Sequence, residues 1–210
     1  MFLLKRPGIL YQVGMNAQRY ADVFEEIADG RASGNVLERL KAAVLESREQ
    51  RTVFGVNERN IDGVFSDRIA LLKRVFRRFE ELRKELKIDE HLRETLWKYY
   101  IPLSEWVIKR VGEKRTRVRE AYVLGLTGGQ GSGKTTLAKV LALLLDEQGY
   151  RAVDFSLDDI YKTYREREAL RERFPCYKVR GPPGTHDVEL GLRVITVSYT
   201  HLTLPTKAEV

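Results

Sequence analysis

Gly128-Gly-Gln-Gly-Ser-Gly-Lys-Thr135 fits the pattern G-x-x-x-x-G-K-[ST], a glycine loop that cradles nucleotide phosphates. Its flanks match that reading. Ala121-Tyr-Val-Leu-Gly-Leu-Thr127 is a short apolar run of strand type, and Thr136 to Gln148 is a helical stretch that stops at Gly149. The glycines let successive backbone N–H groups converge on phosphate oxygens, and the helix start adds its positive end. The sequence therefore assigns Gly128, Gly129, Gln130, Gly131, Ser132, Gly133, Lys134, Thr135 and Thr136 to nucleotide binding. Lys134 is expected on the β- and γ-phosphates of ATP, and the Thr135 hydroxyl on Mg²⁺.

Moving toward the C-terminus, strand-like and helix-like stretches alternate. Arg151-Ala-Val-Asp-Phe-Ser-Leu157 reads as a second strand ending in Asp158-Asp159. Tyr164 to Arg173 reads as a charged helix that ends near Pro175, and Asp187 as the cap of a helix over Val188 to Ile195. Strands separated by helices predict an α/β fold with a parallel sheet. In such sheets ligands bind at the carboxyl ends of strands, where both the glycine loop and Asp158-Asp159 would lie.

The first ~118 residues read instead as all-helical. Asn16 is the expected cap of a helix carrying Val23, Phe24 and Ile27, and Asn35 of one carrying Leu37, Leu40 and Val44. Arg51 to Asn60 reads as a connector. Asp67 is the expected start of a longer helix with the stripe Ile69, Leu72, Phe76, Phe79 and Leu86. A further helix starts at Asp89 and is expected to stop at Pro102, after which Ser104 caps a short one.

The net charge is +7, and its excess lies in residues 1–120, with 25 Lys/Arg against 19 Asp/Glu. Acids are interleaved with the bases, as in Arg77-Arg-Phe-Glu-Glu-Leu-Arg-Lys-Glu85, which favours ion pairing along helices over a nucleic-acid stripe. The single cysteine, Cys176, excludes an internal disulfide. No apolar run approaches the ~20 residues that span a bilayer, and the opening Met-Phe-Leu-Leu-Lys-Arg-Pro is too short for a signal peptide. A cytoplasmic chain with no membrane partner is the expectation.

An aspartate at the end of the second strand can take the proton of a hydroxyl that attacks the γ-phosphate, or hold Mg²⁺ through water. Asp158 is the choice for that base and metal residue, and Asp159 its competitor. The loop Arg180-Gly-Pro-Pro-Gly-Thr-His-Asp187 supplies Arg180 to pair with a carboxylate, and His186 and Asp187 to bind a polyol or metal water.

Together Gly125-to-Leu137, Ser156-Leu-Asp-Asp-Ile-Tyr161 and Arg180-to-Asp187 resemble the D-glycerate 3-kinase family, part of the phosphoribulokinase, uridine kinase and pantothenate kinase group. Trp97 to Trp106 also resembles what precedes the loop in bacterial members. The resemblance covers roughly residues 90–195. It implies transfer of phosphate from Mg-ATP to D-glycerate, giving 3-phosphoglycerate, with Lys134 and Asp158 catalytic. Asp159, Tyr161, Arg180, His186 and Asp187 would form the acceptor segment. Ile160 departs from the family, which usually has Phe there. The alternatives are a P-loop kinase for pantothenate, a nucleoside or a sugar phosphate, and a nucleic-acid-stimulated P-loop ATPase.

Val197-Ser-Tyr-Thr-His-Leu-Thr-Leu-Pro-Thr206 resembles the translation of a transposon adapter used in preparing DNA sequencing libraries. The expected organisation is therefore a helical region over 1–118, the N-terminal part of a P-loop kinase domain over 119–196, and a non-native scar over 197–210. Lid arginines and a second acidic metal segment are not recognisable after Asp187. The expectation is a truncated, weakly active or inactive kinase fragment of low stability.

Overall fold

A computed structural model describes residues 17–114, 122–174 and 181–203. It divides into two compact units, Met1–Gly112 with Leu126–Tyr150, and Glu113–Gly125 with Arg151–Val210.

The first unit is built from helices whose apolar stripes face one core. α1 (Ala17–Ala28) supplies Val23, Phe24 and Ile27, and α2 (Gly34–Glu46) supplies Leu40 and Val44. α2 starts after Ser33 and not at Asn35. The expected connector contains a short helix, α3 (Arg48–Thr52), capped by the Ser47 hydroxyl, which accepts from the Gln50 N–H. α4 (Ile61–Glu85) begins earlier than Asp67 and is the spine of the unit. Its face carries Phe65, Leu72, Val75, Phe76 and Phe79, all buried. Trp97 packs against two helices, with ring centroids 5.9 Å from both Phe24 and Phe65.

α5 (His91–Thr95) continues through a π turn at Leu96–Tyr100 into α6 (Ile101–Lys114). Pro102 therefore does not stop the helix, and Ser104 lies inside α6. The reason is local. A helical proline leaves the carbonyl four residues back without a donor and pushes its ring toward it. That carbonyl belongs to Lys98, inside the π turn, where the ladder is widened. It accepts instead from Gln50 Nε2 at 2.8 Å. Gln50 Oε1 in turn accepts from Arg68 Nη1 at 2.8 Å. Arg68 is 1% exposed, and its Nε and Nη2 donate to the Glu105 carboxylate at 2.8–3.0 Å. Burial pushes the Glu105 carboxyl above its ordinary value, and Arg68 pulls it back.

α7 (Lys134–Glu147) follows the glycine loop directly and belongs to this same unit. Val140 and Leu144 are fully buried in the shared core. Asp146 and Glu147 sit at the C-terminal end of α7, where the helix dipole disfavours acids. α4 supplies the compensation: Arg78 pairs with Asp146 at 3.0 Å and with Glu147 at 3.3 Å, and Arg74 with Glu147 at 3.4 Å. Gln148 Nε2 also donates to Ser104 Oγ at 3.2 Å, tying the end of α7 to α6. Gly149, at φ 82°, ends the helix as the sequence predicts.

The expected α/β fold with a parallel sheet is not found. No described residue belongs to a β-strand, and the one β pairing among the described residues is an isolated antiparallel bridge, Tyr161 to His186. Among the described residues, neither strand-like stretch forms a ladder. Val123, Val153 and Phe155, the apolar residues that made them read as strands, are exposed. A strand is held by its neighbours, and two short stretches give too few of them. Helices close their own hydrogen bonds, so the apolar residues that are buried here pack helix on helix.

The second unit has a 3₁₀ turn at Leu157–Ile160, α8 (Tyr164–Arg173) and α9 (Val188–Thr203). α8 has the predicted bounds and is capped by Thr163 and Glu166, each side chain bonding the other's backbone N–H. α9 starts where predicted but runs beyond Ile195, into the stretch read as a scar. A Cβ on Gly191 would lie 2.9 Å from Ile160 Cδ1, so α9 packs directly on the Ile160 side chain. No described helix is long and apolar enough to cross a membrane.

Two predictions follow from the first unit. Gln50→Leu removes the donor to the Lys98 carbonyl and an acceptor of Arg68, and is expected to lower stability by about 1–3 kcal/mol in urea unfolding. The second concerns acid. Burial alone would raise the Glu80 carboxyl, but Arg93 and Arg83 hold it down, from an ordinary 4.5 to about 2. A depressed acid contributes stability that is present above its unfolded value and lost as pH falls toward its folded one. Relative to Glu80→Gln, the wild-type chain should therefore lose stability as pH drops from about 4.5 toward 2, read by urea midpoints. A stability difference between the two chains that does not change over that range would refute the assignment.

Candidate functional site

The glycine loop has the backbone its sequence demands. Gly131 and Gly133 have φ of 73° and 80°, a left-handed conformation that side chains resist. Gly133 occupies the N-cap position of α7 and no side chain caps the helix there. The first-turn N–H groups have no carbonyl partner within the helix, so they present donors and a positive end. Ser132 N–H donates to Gly129 O at 3.3 Å, tightening the turn. Gly128 lies close to Ser132: a Cβ there would come within 2.9 Å of Ser132 Oγ, so the hydroxyl would have to turn away.

Lys134 Nζ donates to the carbonyls of Gly128 and Gly129, both at 2.8 Å. Its ammonium is thereby folded over the loop it would share with phosphate. Thr135 is exposed in the first turn of α7, and its neighbour Thr136 is half-buried.

The second unit distinguishes the two aspartates. Ser156 and Asp159 form a reciprocal cap on the 3₁₀ turn: Ser156 N–H donates to Asp159 Oδ2 at 3.0 Å, and Ser156 Oγ accepts from Asp158 N–H at 3.2 Å. The Asp159 carboxylate is thus occupied in holding the turn. The Asp158 side chain is exposed and makes no hydrogen bond among the described residues. The spacing Ser-x-x-Asp is a capping box, a signal legible in the sequence.

The acceptor segment is brought together in part. His186 lies against Tyr161, with ring centroids 4.4 Å apart and planes at 26°. Lys162 N–H donates to Thr185 O at 2.9 Å, and Asp187 N–H to Ile160 O at 2.7 Å. Asp187 Oδ1 accepts from Leu190 N–H at 2.8 Å, which is the predicted cap of α9. Arg180 lies outside the described residues, as does Cys176. The glycine loop belongs to one compact unit, and Asp158, Tyr161, His186 and Asp187 to the other. No group of three or more His, Cys, Asp or Glu able to hold a metal occurs among the described residues. Hydroxyl and carboxylate oxygens such as those of Thr135 and Asp158 suit Mg²⁺, which takes few protein ligands and keeps its waters and phosphates.

No protein-family model matches the chain. Local matches to curated proteins do occur. One is the uncharacterized kinase mug58 of Schizosaccharomyces pombe, 44% identical over 70 residues, which are 32% of this chain and 25% of that protein. Another is the chloroplastic D-glycerate 3-kinase of Arabidopsis thaliana, 29% identical over 119 residues, 53% of this chain and 26% of that one. A third is an uncharacterized ABC transporter ATP-binding protein of Methanocaldococcus jannaschii, 40% identical over 65 residues, 31% of this chain and 12% of that protein. The chain spans about a quarter of the length of the two kinases it matches.

Proposed function

We propose that this chain carries the phosphate-binding and acceptor-activating segments of an ATP-dependent small-molecule kinase, with D-glycerate as acceptor and 3-phosphoglycerate as product. The observation that carries the nucleotide half is the glycine loop, with left-handed Gly131 and Gly133 leading into an uncapped helix start. The matched kinases support phosphoryl transfer in general, and the D-glycerate 3-kinase match supports the acceptor.

In this reading the loop amides and Lys134 bind the ATP phosphates. The ammonium exchanges the carbonyls of Gly128 and Gly129 for phosphate oxygens, trading neutral partners for charged ones. Thr135 and Asp158 are the residues that would hold Mg²⁺, which would supply positive charge to offset that developing on the phosphates. Asp158 takes the proton from the acceptor hydroxyl as that oxygen attacks the γ-phosphorus, and ADP leaves. Asp159 fixes the turn that presents Asp158, and the loop 181–187 places the acceptor. Cytoplasmic location is part of the proposal.

The test is Mg-ATP binding and ADP release with D-glycerate, L-glycerate, pantothenate, uridine and ribulose 5-phosphate as acceptors. Lys134→Ala should weaken Mg-ATP binding at least tenfold, about 1.4 kcal/mol, by calorimetry. Asp158→Asn should lower D-glycerate-dependent turnover by roughly 10²–10⁴, far more than it weakens Mg-ATP binding. ADP release indifferent to every acceptor would sink the kinase reading in favour of an ATPase, and turnover with another acceptor alone would discard D-glycerate.

A further inference from the structure

Thr185 is 1% exposed and is the one buried polar side chain among the described residues of its unit. Its Oγ1 donates to Pro182 O at 2.7 Å and accepts from Gly181 N–H at 3.4 Å. Its own N–H also donates to Pro182 O, at 3.2 Å. Pro182 and Pro183 have no N–H, so they cannot close this turn by themselves. Thr185 closes it with both its amide and its hydroxyl.

The next residues face a short piece of the other segment. Thr185 O accepts from Lys162 N–H, and Asp187 N–H donates to Ile160 O. These bonds flank the Tyr161–His186 pair without joining it, which makes it a non-hydrogen-bonded antiparallel pair. In such pairs the side chains come closest, and here the rings stack. An isolated pairing of this length is marginal in water. It is anchored at one end by Ile160 beneath Gly191 and at the other by the buried Thr185.

We propose that Thr185 is a positioning residue: it clasps the 181–187 loop to the turn after Asp158, so that His186 and Asp158 keep a fixed separation. The proposal rests on the reading of Asp158 as the base and of this loop as the acceptor segment. Thr185 touches no reacting atom in that reading. It acts through Pro182 and Lys162.

The experiment compares the full 210-residue chain with Thr185→Ser and Thr185→Val by NMR. Serine keeps the hydroxyl, and valine keeps the shape without it. Thr185→Val should speed hydrogen exchange at the Lys162 and Asp187 amides about tenfold or more and remove the ring-current shift of the His186 protons over Tyr161. Thr185→Ser should keep both, and the α7 amides of the other unit should be unchanged in all three. A valine chain with the ring signature intact overturns the clasp. D-Glycerate is then titrated with Mg-ADP present. The His186 response should be shared by wild type and serine and need at least several-fold more D-glycerate in valine. An equal response with the clasp lost makes Thr185 merely structural and overturns the positioning role. A wild-type chain that has the ring signature but ignores D-glycerate overturns the acceptor reading, and the positioning role that rests on it, without touching the clasp.

Discussion

Pro102 leaves the Lys98 carbonyl without its helical donor, and Gln50 supplies one from another helix. That contact joins α3 to the helical run that carries Pro102. Gln50 reaches the carbonyl while its other amide atom is held by Arg68, and Arg68 is held by Glu105 on the far side of the π turn. Three segments distant in sequence, at Gln50, Arg68 and Lys98 to Glu105, are thereby joined through one buried guanidinium. Removing one member strands the others, because a buried donor or acceptor without its partner costs about as much as several ordinary hydrogen bonds contribute. Trp97 and Leu96, in the same π turn as Lys98, line the core into which α7 inserts Val140 and Leu144.

The consequence for the candidate site is that the glycine loop is presented by a helix rooted in the helical unit. The loop supplies donors and a positive helix end, and Lys134 is folded back onto the loop carbonyls. The remaining candidate residues lie in a smaller unit with exposed apolar residues on α9, including Val188, Leu192 and Ile195. There the two adjacent aspartates differ in environment. Asp159 is tied to Ser156, and the carboxylate of Asp158 is left facing solvent.

Much of this was legible in the residues. The stripes Val23-Phe24-Ile27 and Leu72-Phe76-Phe79 marked core faces, because helical spacing maps directly onto burial. Gly149 and Pro175 marked ends, and Asp187 marked a start, because caps act within a few residues. The sheet was misread because a short apolar run specifies a strand only if partner strands exist, and partners are a tertiary matter. Pro102 was misread for the same kind of reason: the donor that rescues its helix comes from Gln50, about fifty residues away. Ser156 and Asp159 carry a readable capping signal, because a cap acts within three residues. The closeness of Gly191 to Ile160 and the burial of Thr185 have no local signature at all.

The central claim is that the phosphate-loop helix and the N-terminal helices unfold as one body. Native-state hydrogen exchange of α4 amides in a Leu144→Ala chain tests it most directly. Truncating Leu144 in α7 should cost about 2–5 kcal/mol, and the account predicts that the slow amides of Leu72, Val75, Phe76 and Phe79 lose protection by that full amount, together with those of α7. If the α7 amides alone lose protection while α4 keeps its own, the glycine loop is carried by an independent element and the account is wrong.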